Sequence, residues 1–118
     1  MNKQITLNQR VGIVTGGARG IGYAIAERLL HQGSSVCLWD MDASALIEAQ
    51  ASLGYPGKVS TAQVDITHEA SVTAAVQTTL STWGKIDLLI NNAGIAHRSA
   101  FADTHLEVIR RVMDVNFF

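Results

Sequence analysis

A chain of 118 residues with 47% hydrophobic content buries one modest core, so the expectation is a single domain spanning 1–118. The formal net charge of −1 and nine scattered Lys and Arg leave no basic face for nucleic acid. No apolar run reaches the length of a membrane span, residues 1–10 lack the apolar core of a signal peptide, and the single Cys37 makes no internal disulfide; a chain of the reducing cytoplasm, away from membranes, is expected.

The first element is Val11-Gly12-Ile13-Val14, an apolar run suited to a strand buried on both faces. Thr15-Gly16-Gly17-Ala18-Arg19-Gly20-Ile21-Gly22 follows it, and Ile21, Ile25 and Leu29 then recur one helical turn apart. The reading is strand, tight turn, helix. Such a turn aims backbone N–H groups and a helix N-terminus at one point, and its glycines let a diphosphate approach the main chain. The expected ligand is a dinucleotide. A short glycine pattern alone more often marks an ordinary tight turn, so the residues downstream decide.

The first helix ends at Gly33, and Ser35-Val36-Cys37-Leu38-Trp39 reads as a second buried strand with Asp40 at its carboxyl end. An acid about twenty residues past the glycines is placed to accept hydrogen bonds from the adenosine ribose hydroxyls. Asp42 suits the cap of the next helix, which leaves Asp40 free of that role.

Leu46, Ala49, Gln50 and Leu53 mark a second helix that stops at Gly54, and Tyr55-Pro56-Gly57 turns into a third strand over 58–64. Thr67 is the expected cap of a third helix, whose stripe of Val72, Val76, Leu80 and Trp83 runs up to Gly84. Three helices thus end at glycine, as left-handed caps ask. Ile86-Asp87-Leu88-Leu89-Ile90 is the fourth strand, and Thr104-His105-Leu106-Glu107 is a capping box opening a fourth helix. Strands alternating with amphipathic helices predict an α/β fold, a Rossmann-type doubly wound parallel sheet. In such a sheet ligands bind beyond the carboxyl ends of the strands, where Thr15, Asp40, Asp65 and Asn91 all fall. Asp65 also suits a turn or cap, and Asn91 and Asn92 also suit loop amides that fasten neighbouring strands.

With Asn91-Asn92-Ala93-Gly94 closing the fourth strand, the chain resembles the short-chain dehydrogenases/reductases. The resemblance covers essentially the whole chain and implies the strand order 3-2-1-4. It matches Thr15, Gly16, Gly20 and Gly22 to the TGxxxGxG diphosphate turn and Asp40 to the acid that marks NAD preference. It also matches Asp65, followed by Ile66, to the adenine-binding acid, and Asn91 and Ala93 to main chain near the adenosine ribose. The cofactor-binding set it implies is Thr15, Gly16, Arg19, Gly20, Ile21, Gly22, Asp40, Asp65, Ile66, Asn91, Ala93 and Gly94. Asn116 matches a fourth-helix asparagine that holds an active-site water, the one catalytic residue carried over. Arg19 pulls the other way: the resemblance implies that a basic residue before the second glycine favours the phosphate of NADP, whereas a carboxylate at Asp40 repels it. With Arg19 turned outward, NAD is favoured over NADP.

The catalytic serine and Tyr-x-x-x-Lys pattern of that family have no counterpart here, and Tyr23 and Tyr55 have no Lys four residues on. The expectation is a cofactor half, inactive alone, of an oxidoreductase acting on a small-molecule alcohol or carbonyl substrate. A noncatalytic dinucleotide-binding or regulatory module would share the glycine turn and Asp40. A nucleotide-type methyltransferase would not need Asn91 to Gly94. His31, His68 with Glu69, and His97 have no metal-ligand spacing, so no metal is expected. Trp39 and Trp83 read as packing residues, and Arg110 and Arg111 as a solvent face or partner contact. A sheet ending at the fourth strand leaves Leu88-Leu89-Ile90 as an open apolar edge, so self-association or a homo-oligomer is expected.

Overall fold

The computed structural model describes residues 7–92 and Asn116–Phe117. In chain order the elements are β1 (Val11–Thr15), α1 (Gly20–His31), β2 (Ser35–Asp40), α2 (Ala43–Leu53), β3 (Val59–Gln63), α3 (Glu69–Trp83), β4 (Leu88–Ile90) and β5 (Asn116–Phe117). The strands form one sheet in the order β3-β2-β1-β4-β5, and every pairing is parallel. The order 3-2-1-4 is therefore present, and β1 lies at its centre.

Alternation along the strands builds a core on each face. On one face Val14, Val36, Leu38, Leu88 and Ile90 pack with Ala26, Leu29 and Leu30 of α1 and Leu46, Ala49 and Leu53 of α2. On the other, Ile13, Cys37, Trp39 and Leu89 meet Val72, Ala75 and Val76 of α3. All five residues of β1 are buried because helices cover both sides. Each buried Leu or Ile contributes about 1.5–3 kcal/mol of transfer free energy, so helix and strand hold each other in place.

Several boundaries differ from the sequence reading for identifiable reasons. Ile21 is 72% exposed, and α1 instead buries Gly22, Ala26, Leu29 and Leu30, an i, i+4, i+7, i+8 stripe rotated away from it. Thr67 does not cap α3: His68 is the N-cap, while the Thr67 N–H and hydroxyl both donate to Asp65 Oδ1 at 2.9 and 2.6 Å. Of the three helix-ending glycines only Gly84 is a left-handed cap, its N–H donating to Leu80 O. α1 is capped by Gln32, and Gly54 has ψ −135°.

β4 begins at Leu88, two residues after the expected start, and the preceding Asp87 turns its side chain onto the amino end of the central strand β1. Its N–H donates to Val11 O at 2.8 Å, and its Oδ2 accepts from Val11 N at 2.9 Å.

Asn116 is the largest correction. It lies in β5, paired with Leu88 while Phe117 pairs with Leu89, and not in a helix. Asn and Phe are weak helix formers, and the outer edge of β4 offers backbone groups that an extended segment satisfies. The edge expected to stay open therefore carries a strand. The capping box at 104–107, the rest of the fourth helix and Arg110 and Arg111 lie outside the described residues.

Candidate functional site

The carboxyl ends of β1 and β4 are joined by a hydroxyl. Thr15 is fully buried; its Oγ1 accepts from the Asn92 N–H at 2.8 Å and reaches Ile90 O and Asn91 Oδ1, each at 3.3 Å. The Asn92 amide then donates to Gly16 O at 3.4 Å. The loop after β4 is thus fastened to the glycine turn after β1.

Helix α1 fits tightly against that turn. A Cβ on Gly22 would run into the Gly16 carbonyl and stand 2.9 Å from Asn92 Nδ2. Gly20 differs: its φ of +62° calls for glycine, yet nothing lies within 4 Å of where its Cβ would be. The main chain at Gly20 is consequently open to approach. The start of α1 has no side-chain cap and no acid in its first turn, whereas the Asp42 side chain caps α2 and Glu69 sits in the first turn of α3. α1 thus presents its first-turn N–H groups and dipole without a side-chain acceptor, a setting suited to an anionic group.

Two acids at the end of β2 address the same turn. Asp40 is free of the helix-cap role, which Asp42 takes; its Oδ2 accepts from the Ala18 N–H at 3.3 Å and its Oδ1 from the Asp42 N–H at 3.1 Å. These contacts fix the carboxylate in place, and its remaining lone pairs can still accept from hydroxyl donors. Asp42 caps α2 through the Ala45 N–H at 3.0 Å and binds the Arg19 guanidinium at 2.6 Å. The Ala45 N–H, followed by Arg19, holds the Asp42 carboxyl below its ordinary range.

Asp65 follows β3, its N–H donating to Ser71 Oγ at 3.0 Å. Its carboxylate accepts from Thr67 and lies 2.7 Å from His68 Nδ1. The Thr67 hydroxyl first, then its N–H, lower the Asp65 pKa, with His68 adding to them.

Gly16, Arg19, Asp40, Asp65, Ile66 and Asn92 line one cleft of about 460 Å³, with Trp39, Met41, Val64 and Thr67 completing its wall. Six residues from four loops thus meet at the carboxyl edge of the sheet. A second groove, about 540 Å³, runs between α1 and α2 beside the glycine turn and shares only Arg19 and Gly20 with the candidate set. Exposed Ile21 lines neither. Ala93 and Gly94 lie outside the described residues, as does the side chain of Asn116.

Sequence reasoning left Asn92 and the wall residues Trp39, Met41, Val64 and Thr67 out of the site, and Gly17 out of the turn that supports it. Asn92 adjoins Asn91 in the same motif, and the missing signal was which of the two amides turns toward Gly16. Gly17 donates its N–H to Trp39 O at 3.2 Å, and a Cβ there would stand 2.9 Å from Val14 O and 3.0 Å from Leu38. Its role is close packing of the turn on β2. Among the described residues no group of three or more His, Cys, Asp or Glu gathers as metal ligands, and no helix is long and apolar enough to cross a membrane.

Comparison with known proteins agrees with this architecture. An uncharacterized oxidoreductase of Staphylococcus saprophyticus is 38% identical over 114 residues, which are 95% of this chain and 49% of that protein. Among solved structures, a 3-ketoacyl-(acyl-carrier-protein) reductase from Brucella melitensis complexed with NADH matches 75% of this chain and 36% of its own. Its TM-score is 0.70 at 36% identity. The C-domain of a bacterial malonyl-CoA reductase with NADP matches 77% of this chain and 16% of its own, with TM-score 0.71 and 36% identity. The chain spans about half the length of the curated relatives it matches, or less. The family model for short chain dehydrogenase matches residues 10–118, and the chain accordingly belongs to the short chain dehydrogenase family.

Proposed function

We propose that the cleft binds the adenosine and diphosphate end of a nicotinamide dinucleotide, and that the protein carrying it is an oxidoreductase of alcohols and carbonyls. The observation that carries the reading is the convergence of Gly16, Asp40, Asp65 and Asn92 on one cleft beside an α1 N-terminus without a side-chain cap. The residues fit such a group chemically. The open main chain at Gly20 and the first-turn N–H groups of α1 would hold the diphosphate. Asp40 would accept from ribose hydroxyls, and Asp65 from the adenine amino group, while the buried Ile66 supplies an apolar wall to the base. When bound, the nicotinamide supplies the hydride exchange.

The coenzyme is NAD, because the fixed Asp40 carboxylate repels a phosphate on the same ribose. The proton that must move with the hydride needs an acid or base, and the serine and Tyr-x-x-x-Lys expected for it are not in these 118 residues; alone they bind coenzyme without turnover. A cytoplasmic setting agrees with the free, buried Cys37. Titration calorimetry of NAD and NADP into the protein encoded by the whole gene tests the reading. Tighter binding of NAD is expected, and tighter binding of NADP overturns the coenzyme assignment. Absence of binding to either would favour a role outside dinucleotide chemistry.

A further inference from the structure

Arg19 stands on the wall between two hollows, lining both the cleft with Asp40 and the groove between α1 and α2. Among the described residues lining the cleft it is the only cation. Its guanidinium is engaged on the groove side, 2.6 Å from Asp42 Oδ2. Asp42 itself is held in place, since its Oδ1 caps α2 through Ala45 and its N–H donates to Asp40. The acid that tethers Arg19 is thereby built on the acid that faces the ribose in the proposed function.

We propose that Asp42 is a positioning residue for coenzyme choice, holding Arg19 against the start of α2 and away from the ribose edge of the cleft. The inference rests on the assignment of the cleft to a dinucleotide. It differs from direct repulsion by Asp40, because Asp42 acts through Arg19. Both side chains of the pair are partly exposed, 66% for Arg19 and 49% for Asp42. An exposed ion pair is a modest restraint, so the tether tunes selectivity over a severalfold range, and a ribose phosphate competes with Asp42 for the same guanidinium.

The test is a double-mutant cycle in the protein encoded by the whole gene, read by calorimetric Kd for NAD and for NADP. Asp42→Asn keeps an oxygen for the Ala45 N–H and removes the carboxylate charge that holds Arg19; Asp42→Ser, also a good N-cap, is the second variant should the first fold poorly. Either variant is expected to bind NADP about three- to tenfold tighter, with NAD affinity within about twofold of wild type. Adding Arg19→Ala should abolish that gain, and Arg19→Ala in the wild-type background supplies the fourth corner of the cycle. A gain that persists without Arg19 would overturn the tether and reduce Asp42 to a bulk charge. No gain in either folded variant would overturn it as well. Wild-type binding of NAD reads the underlying assignment separately: NAD binding without the coupling sinks only the role of Asp42, whereas no binding of either coenzyme sinks both.

Discussion

The Asn92 N–H donates to Thr15 Oγ1 at 2.8 Å, so the loop after β4 is anchored to the last residue of β1 by a buried hydroxyl. Thr15→Val keeps the shape and removes the acceptor. Among the described residues the Asn92 N–H then retains Ile90 O at 3.1 Å. The expected cost is about 0.5–1.5 kcal/mol of stability, read by urea denaturation, with Thr15→Ser recovering part of it. Val at full wild-type stability would show that the hydroxyl contributes nothing to the junction.

Two glycines of the same turn should respond oppositely. Gly22→Ala drives a methyl into the Gly16 carbonyl, with an expected loss of about 1–3 kcal/mol and weakened coenzyme binding as the turn shifts. Gly20→Asn places its side chain in open space at φ +62°, a conformation Asn tolerates, so stability should fall by about 1 kcal/mol or less. Coenzyme affinity should still drop, because the added side chain covers the main chain the diphosphate would approach. Equal stability losses at both positions would contradict this division between packing and access.

Asp87 predicts a pH dependence at the opposite end of the sheet. Its side chain is 14% exposed and lies 3.1 Å from Lys85 and 3.4 Å from Arg10. Burial pushes its pKa upward, but the Val11 N–H, Lys85 and Arg10 outweigh it, and the net shift is downward. A lowered folded-state pKa means that the stabilisation is present above the unfolded value of about 3.9 and is lost as pH falls through the folded value. Asp87→Asn should therefore cost about 1–3 kcal/mol at pH 7, and the gap to wild type should close as the pH is lowered below about 4. A pH-independent gap would assign the loss to packing alone.

Legibility of the fold tracked how local each determinant is. The strands were readable because β1, β2 and β4 are covered on both faces and so run apolar without interruption. The Asp42 cap was readable because capping depends on residues a turn apart. Ile21 misled, since helical spacing alone does not say which stripe faces the sheet, and α1 turned Ala26 and Leu30 inward. Asn116 misled for a different reason: its strand pairing is with Leu88, far away in sequence. At the site, Asp40 and Asp65 were legible from their distance to strand ends. The tie of Asp42 to Arg19 was not, because it depends on how β2 and the glycine turn lie side by side.

Asp40 carries the last prediction. Its two oxygens accept from Ala18 and Asp42 main chain, so the carboxylate both braces the glycine turn and presents charge to the cleft. Asp40→Ser removes the charge and shortens the side chain. NADP should then bind at least about tenfold tighter than it does to wild type, equivalent to about 1.4 kcal/mol, as like-charge repulsion with the ribose phosphate disappears. NAD should bind more weakly, having lost an acceptor for its ribose hydroxyls. Asp40→Asn separates charge from bracing: it restores an oxygen toward the Ala18 N–H, so it should recover stability while keeping the gain in NADP binding. If neither variant alters the ratio of the two affinities, Asp40 serves the turn alone and selectivity resides elsewhere in the cleft.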